Sequence, residues 1–325
     1  MVSLFEIKLP FATYLGFFLK TQPILVAFLL NCVMIVVRGD VMKNYTVLII
    51  DLKKSRSYSV EDRNSIQNYI NTVIQNLNEV FSNTLTREVE FSAGDEFQGL
   101  FKSPEAAYLY FRMISMLISP VEIRAGIGVG EWNIKIEKAS TTAQDGPAYH
   151  NARYAIENVK DALGYSILLY SGNENDLFLN DVINTSFAIT SNHSEYQNEL
   201  MLLSEILYPI DYHGIIDYSK MGLISKLVTL KNKLNYYTYY KKSKLVKKYP
   251  FDKIACMNFE PSPIDAANDD STFYVSGGKK RGMTTRLSEI LNISRQSVEK
   301  TFKTANIYEA RNSTIVALKF MDKYL

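Results

Sequence analysis

Two carboxylates stand where metal-assisted chemistry would need them. Asp51 closes the apolar run "YTVLIID" (45–51), and Asp95 sits in the turn of "FSAGDEFQGLF" (91–101) beside Glu96. Carboxylate oxygens are hard ligands of the kind magnesium accepts while it also holds the phosphates of a substrate. Two such ions about 3.5 to 4 Å apart can clamp the attacking and leaving oxygens of an in-line phosphoryl or nucleotidyl transfer. Asp51 and Asp95 are therefore candidate metal ligands, with Glu96 a possible third. The plainer alternative is that Asp51 caps the turn into "LKKSR" and that Asp95 and Glu96 merely suit a tight turn.

Other chemistries are poorly served. Three histidines (His150, His193, His213) give little support to a histidine-pair mechanism. Cys32 and Cys256 lie far apart with no C-x-x-C, which argues against a disulfide scaffold or a zinc site. With 325 residues, 47% hydrophobic and 22% charged, the chain reads as ordinary globular protein with room for two domains. A net charge of +2 implies no polyanion partner by itself, so any nucleic-acid contact must come from a local patch.

The elements that must position these residues follow from local pattern. "YTVLIID" suits a strand buried on both faces. "DRNSIQNYINTVIQNLNEVF" repeats Ile66, Ile70, Ile74, Leu77 and Phe81 at helical steps. Ser103 and Pro104 make a good start for "SPEAAYLYFRMISMLI". "PVEIRAGIGVGEW" reads as a strand, "DGPAYHNARYAIENVKDAL" as a helix with Pro147 in its first turn and Gly164 at its end, and "YSILLYS" as a further strand. The order β, α, β, β, α, β, α, β predicts an α+β fold of ferredoxin-like plan over 43–172. A mostly helical region (173–257), a linker (258–280) and a C-terminal unit (281–325) follow.

Within that last unit, "TTRLSEILNISRQSVEKTFKTANI" (284–307) places Leu287, Ser288, Leu291, Ile293, Val298 and Phe302 at helix-turn-helix spacing, with Asn292 where a turn glycine is usual. Arg295, Gln296, Ser297 and Lys300 would then meet base edges and phosphates of DNA. Lys279, Lys280 and Arg281 add a basic cluster ahead of the motif. A helical hairpin used only for packing is the alternative. The tyrosine- and lysine-rich "NYYTYYKKSKLVKKYP" (235–250) fits either nucleic-acid contact or a solvated helix.

The N-terminal 41 residues admit several accounts. "QPILVAFLLNCVMIVV" (22–37) is short for a spanning helix of about 17 residues or more, and extending it backwards would bury Lys20. No small-x-small cleavage site precedes "RGD", so a signal peptide fits poorly. The stretch is expected to be untranslated leader read in frame ahead of a true start at Met42, with a membrane anchor or a buried helix as alternatives. The first account predicts a cytoplasmic protein; the second, a membrane-anchored one.

"IIDLKKSR", "SAGDEFQGLF", "IRAGIGVGE", "DGPAYHNAR" and "LNISRQSV" occur in an order that resembles the SatD family, from Met42 to the C-terminus. More distantly, the chain is similar to class III nucleotidyl cyclases. That resemblance maps their two metal-binding acids onto Asp51 and Asp95, their R-x-G-I-x-x-G strand onto "RAGIGVG" from Arg124, and their G-P-A helix onto "GPAYHNAR" from Gly146. It implies magnesium and a nucleoside triphosphate, with Arg124, Asp145 and Gly146 near the nucleotide. The cyclases' transition-state Asn and Arg lie four residues apart, whereas alignment from Gly146 puts His150 and Tyr154 there. The candidates Asn151 and Arg153 are only two apart, on different helical faces. A phosphate at the helix N-terminus beside Asp145 and Gly146 remains physically reasonable, as does an ordinary cap.

Together these features lead us to expect a regulator that binds nucleotide and magnesium, coupled to a DNA-binding helix-turn-helix and forming a homodimer. The rival expectations are an active nucleotidyl cyclase or transferase, and a degenerate interaction module that binds no nucleotide.

Overall fold

Strand β1 (Tyr45–Leu52) alternates its apolar side chains between two cores, which is what a strand without a polar face should do. Leu48, Ile50 and Leu52 join the larger core on one side of the sheet, while Val47 and Ile49 join a smaller one on the other. By the same alternation Asp51 belongs to the face of Val47 and Ile49. The structure is a computed structural model and describes residues 43–231, 260–268 and 273–325. The apolar run at 22–37, Met42, the tyrosine-lysine stretch at 235–250 and parts of the expected linker lie outside the described residues.

After β1 come α1 (Val60–Val80), β2 (Leu85–Ala93), β3 (Glu96–Phe101), α2 (Pro104–Ile118), β4 (Ile123–Gly130), α3 (Pro147–Val159) and β5 (Ile167–Tyr170). The sheet runs β2-β3-β1-β4-β5. β1 is antiparallel to both β3 and β4, and β5 joins β4 in parallel. The sheet is mixed, and the element order is the one expected from the sequence. Caps act as their residue types suggest: Ser59 accepts from the Asp62 N–H, and Ser103 from the Ala106 N–H with Pro104 in the first turn.

α3 lies unusually close to the sheet, and glycines make this possible. Gly126, Gly128 and Gly130 occupy alternate positions of β4. A Cβ at Gly128 would fall 2.0 Å from the Ala152 nitrogen, and one at Gly126 would fall 2.3 Å from that of Ile156. The helix backbone fills the space side chains would need. Ala125, Ile127 and Val129, alternating with the glycines, point into the larger core.

The opposite face of the sheet is covered by α1 and α2, and these are covered in turn by α4 (Asp176–Thr190), α5 (Glu195–Leu207), α6 (Met221–Lys231) and α9 (Ile307–Tyr324). Polar side chains lock the layers: Tyr108 donates to Ile183 O, and Asn198 to Met116 O. The segment expected as a linker contains β7 (Ile264–Asp265), which pairs in parallel with β6 (Ile210–Asp211), with Ala266 fully buried. The described residues from 44 onward fall into a single compact unit.

β5 would be an open edge, yet α4 closes it with side chains. Asn184 accepts from the Ser166 and Ile167 N–H groups at 2.9 and 3.3 Å and donates to Ile167 O at 2.7 Å. One helical turn earlier, Asn180 accepts from Leu169 N–H at 2.7 Å and donates to Leu169 O at 2.9 Å. Two amides at i and i+4 thus take the place of a sixth strand and leave no template for edge pairing. Replacing Asn184 by Leu is expected to cost about 1 to 3 kcal/mol, the penalty of stranded backbone groups. Hydrogen exchange at Ser166 and Ile167 should speed up, and unchanged protection there would refute the assignment.

The C-terminal helices α7 (Met283–Leu291) and α8 (Arg295–Thr304) meet at Asn292, which adopts φ 52° and ψ 47°, the left-handed conformation expected of a residue in that turn. Leu287, Leu291, Val298 and Phe302 are buried between them and α9. The Ser294 hydroxyl caps α8 by accepting from the Ser297 N–H.

Candidate functional site

β1 and β3 bring the acids together. Asp51 lies opposite Glu96 across that pair and opposite Arg124 across the pair with β4. Asp95 is in the β2–β3 turn, after Gly94 at φ 61°, and its backbone oxygen accepts from Leu52 N–H. The turn is held from outside by Gln67, which donates to Gly94 O at 3.1 Å. Local sequence does the positioning: the alternation of β1 turns Asp51 onto the α3 face, and a glycine that tolerates positive φ reverses the chain before Asp95.

Each acid has a partner. Arg124 donates through Nε and one terminal nitrogen to the same Asp51 oxygen, at 2.8 and 2.6 Å. Arg153 from α3 grips Glu96 in a fork, at 2.7 and 2.8 Å. Ser92 adds a 3.0 Å bond to Glu96, and Ser55 donates to the Asp95 carboxylate. Burial alone would raise the Glu96 carboxyl, but the guanidinium of Arg153 outweighs it and holds that carboxyl below its ordinary value. Two acids and two arginines therefore meet at one end of the sheet as paired charges. Arg124, expected near a nucleotide, and Arg153, expected near the reacting group, are both here.

Metal ligation takes a narrower form than the three candidate acids suggest. Among the described residues no three His, Cys, Asp or Glu side chains group closely enough to hold a metal. Glu96 is held through both oxygens by Arg153, Asp51 through one oxygen by Arg124, and Asp95 by Ser55, so a metal here would have to share or displace these contacts. Two carboxylates suffice for magnesium when waters and substrate phosphates complete its shell.

Asn151 and Arg153 diverge, as their spacing predicts. Asn151 donates to Val129 O at 2.8 Å and so is used to bind α3 to β4. Tyr154 is largely exposed and meets Tyr170 with ring centroids 4.8 Å apart and the ring planes tilted by 59°.

Asp145 and Gly146 require a correction, since they do not lie near Asp51 and Asp95. α3 runs back along β4, with Ala148 against Gly130 and Ile156 against Gly126. Its N-terminus therefore sits at the Gly130 end of the strand, and Arg124 with Asp51 at the other, about 20 Å away at the rise of a strand. The helix start is also occupied. Gly146 N–H donates to the Asp145 side chain at 2.8 Å, and Ala148 N–H donates to Glu131 O at 3.1 Å. A Cβ on Gly146 would strike Glu131 O at 2.7 Å, which explains the glycine by packing. His150, 3.2 Å from Asp145, belongs to this remote end as well.

Sequence reasoning missed the Arg112–Glu205–Arg311 cluster, where two arginines converge on one buried carboxylate. Arg311 also donates to Gly278 O at 2.8 Å and Tyr208 O at 2.6 Å. No local signal singles it out, because the helices that carry Arg112, Glu205 and Arg311 carry other charged residues as well.

The sequence matches the SatD family profile over residues 45–249, more than half of the chain. The chain belongs to the SatD family. The match takes in the whole sheet and the helices α1 to α6. A solved structure of a bacterial light-regulated adenylyl cyclase is weakly similar to this SatD protein, at 14% identity over 39% of this chain and 74% of that one, with a TM-score of 0.29. No curated protein matches the sequence. No helix among the described residues is long and apolar enough to cross a membrane.

Proposed function

We propose that this SatD protein is a regulator that binds a nucleoside triphosphate with magnesium at the Asp51–Asp95 end of its sheet and, through its C-terminal helices, binds DNA as a helix-turn-helix. The observation that supports the nucleotide half is the meeting of Asp51, Asp95, Arg124 and Arg153 at one strand end, within a split β-α-β sheet of ferredoxin-like order. Asp51 and Asp95 would hold magnesium, which neutralises phosphate charge when bound. Arg124 and Arg153 carry planar guanidinium forks that suit phosphate oxygens. The left-handed Asn292 between two short helices, with Gln296, Ser297 and Lys300 exposed on the second, supports the DNA half. A homodimer would present two such helices to a two-fold operator.

Binding without turnover is favoured over an active cyclase, because Asn151 is spent on Val129 O and does not join Arg153. Calorimetry of the full-length protein with triphosphate and magnesium is expected to show binding that weakens at least about tenfold, about 1.4 kcal/mol, in Asp95→Asn. Equal affinity in the variant, or no binding by the native protein, would overturn the nucleotide assignment. Turnover of radiolabelled triphosphate would instead establish the enzyme.

A further inference from the structure

Behind the exposed surface of α8 lies a cleft of about 570 Å³, bounded by the segment 279–285, one edge of α8 and the start of α9. Lys279, Lys280, Arg281, Arg295 and Lys303 line it, against only two carboxylates. Lys280 is partly committed, donating to Pro263 O at 2.9 Å, and Lys279 lies over the Tyr308 ring at 5.3 Å. Arg295 donates to Glu299 at 2.8 Å. At about 100° per residue, Arg295, Glu299 and Lys303 share one stripe of α8, and Gln296 and Lys300 form the next. Neither Gln296 nor Lys300 lines the cleft. The helix thus presents two adjoining surfaces, one cationic and concave, the other polar and outward.

We infer that the cleft seats the sugar-phosphate backbone of duplex DNA, so that Arg295 grips phosphate while Gln296 and Lys300 read bases. This rests on the DNA-binding proposal and divides its residues by role. Arg281, Arg295 and Lys303 are exposed and reach the cleft from two separate elements, as a clamp on a curved anionic backbone requires. Glu299 holds Arg295 on the cleft side and lies where a phosphate would approach. Bound phosphate displaces it as the partner of Arg295, so Glu299→Gln should tighten binding to any sequence.

The test is a salt titration of full-length protein on a duplex of random sequence, with selection from a randomised duplex pool alongside. Each phosphate contact contributes about 0.9 to the slope of log affinity against log salt. The triple variant Arg281→Gln, Arg295→Gln, Lys303→Gln should lose about 2 to 3 from that slope, with affinity falling alike for all sequences. Arg295→Gln alone should select the same sequence as the native protein, whereas Gln296→Ala should select a changed one. Unaltered thermal midpoints would show that the variants fold, and Lys303→Gln alone provides a milder variant if the triple does not. If native protein binds duplex but the cleft variants keep its slope, or if Arg295→Gln changes the selected sequence, the inference is overturned while DNA binding stands. Equal displacement of random duplex by equimolar inorganic triphosphate from native and Asp95→Asn protein would also overturn it, by assigning the cleft to a small anion independently of the Asp51–Asp95 site. No duplex binding by the native protein would overturn the DNA-binding proposal itself.

Discussion

Gly128→Ala is expected to lower stability by roughly 3 kcal/mol, the upper part of the range for overpacked interiors, and the thermal midpoint by about 6 to 12 °C. The added methyl carbon would sit 2.0 Å from the Ala152 nitrogen and 2.3 Å from Ala148 O, both backbone atoms that no rotamer change can move aside. Either α3 lifts from β4 or the strand bends. Because α3 also carries Arg153, lifting it would loosen the grip on Glu96 and disturb the end of the sheet where Asp51 lies. Gly222→Ala makes the control. Nothing lies within 4 Å of its Cβ position and its residue is exposed in α6, so the change should be neutral or stabilising by a few tenths of a kcal/mol up to about 1. Thermal melts of both variants would decide, and equal midpoints would refute the close approach of helix and strand.

Glu205→Gln is expected to lose about 3 to 5 kcal/mol at pH 7, as removal of one partner from a buried ion cluster does. Arg112, Glu205 and Arg311 are all nearly inaccessible, and the two guanidinium groups would be left facing each other across a neutral amide. The three residues come from α2, α5 and α9, so the loss should loosen the attachment of the C-terminal helices to the layer beneath the sheet. Burial works to raise the Glu205 carboxyl, but the two arginines outweigh it and hold the carboxyl below its ordinary value. A depressed folded value sets the sign. The contribution is fully present above the unfolded value of about 4.3 and is lost as pH falls through the lower folded value. Denaturant melts should therefore show the gap between native protein and variant widest at neutral pH and closing only in strong acid. A gap below about 1 kcal/mol at pH 7, or one that widens on acidification, would contradict this.

Elements whose information is local are legible in the sequence. Ser103 and Pro104 start a helix, Asn292 turns one into the next, and the apolar steps from Ile66 to Phe81 bury one face, because caps and periodicity act within one or two turns. The pairing of Asp51 with the β2–β3 turn is also within reach, since few topologies join strands in that order without crossing connections. Asp145 and Gly146 escape such reasoning for a different cause. A G-P pair marks where a helix starts but not which end of the sheet that start occupies.

The sequence by itself determined the order of strands and helices, the acids at a strand end and the left-handed turn of the C-terminal pair. Only the tertiary structure decided that Arg124 answers Asp51, that Arg153 answers Glu96, that α3 begins at the far end of β4, and that three charges scattered over about 200 residues make one buried cluster at Glu205. Hydrophobic periodicity says which side of an element is buried. It carries no information about which charge lies across the interface, because ion pairs and close backbone approach depend on residues distant in the chain and on the direction in which elements pack.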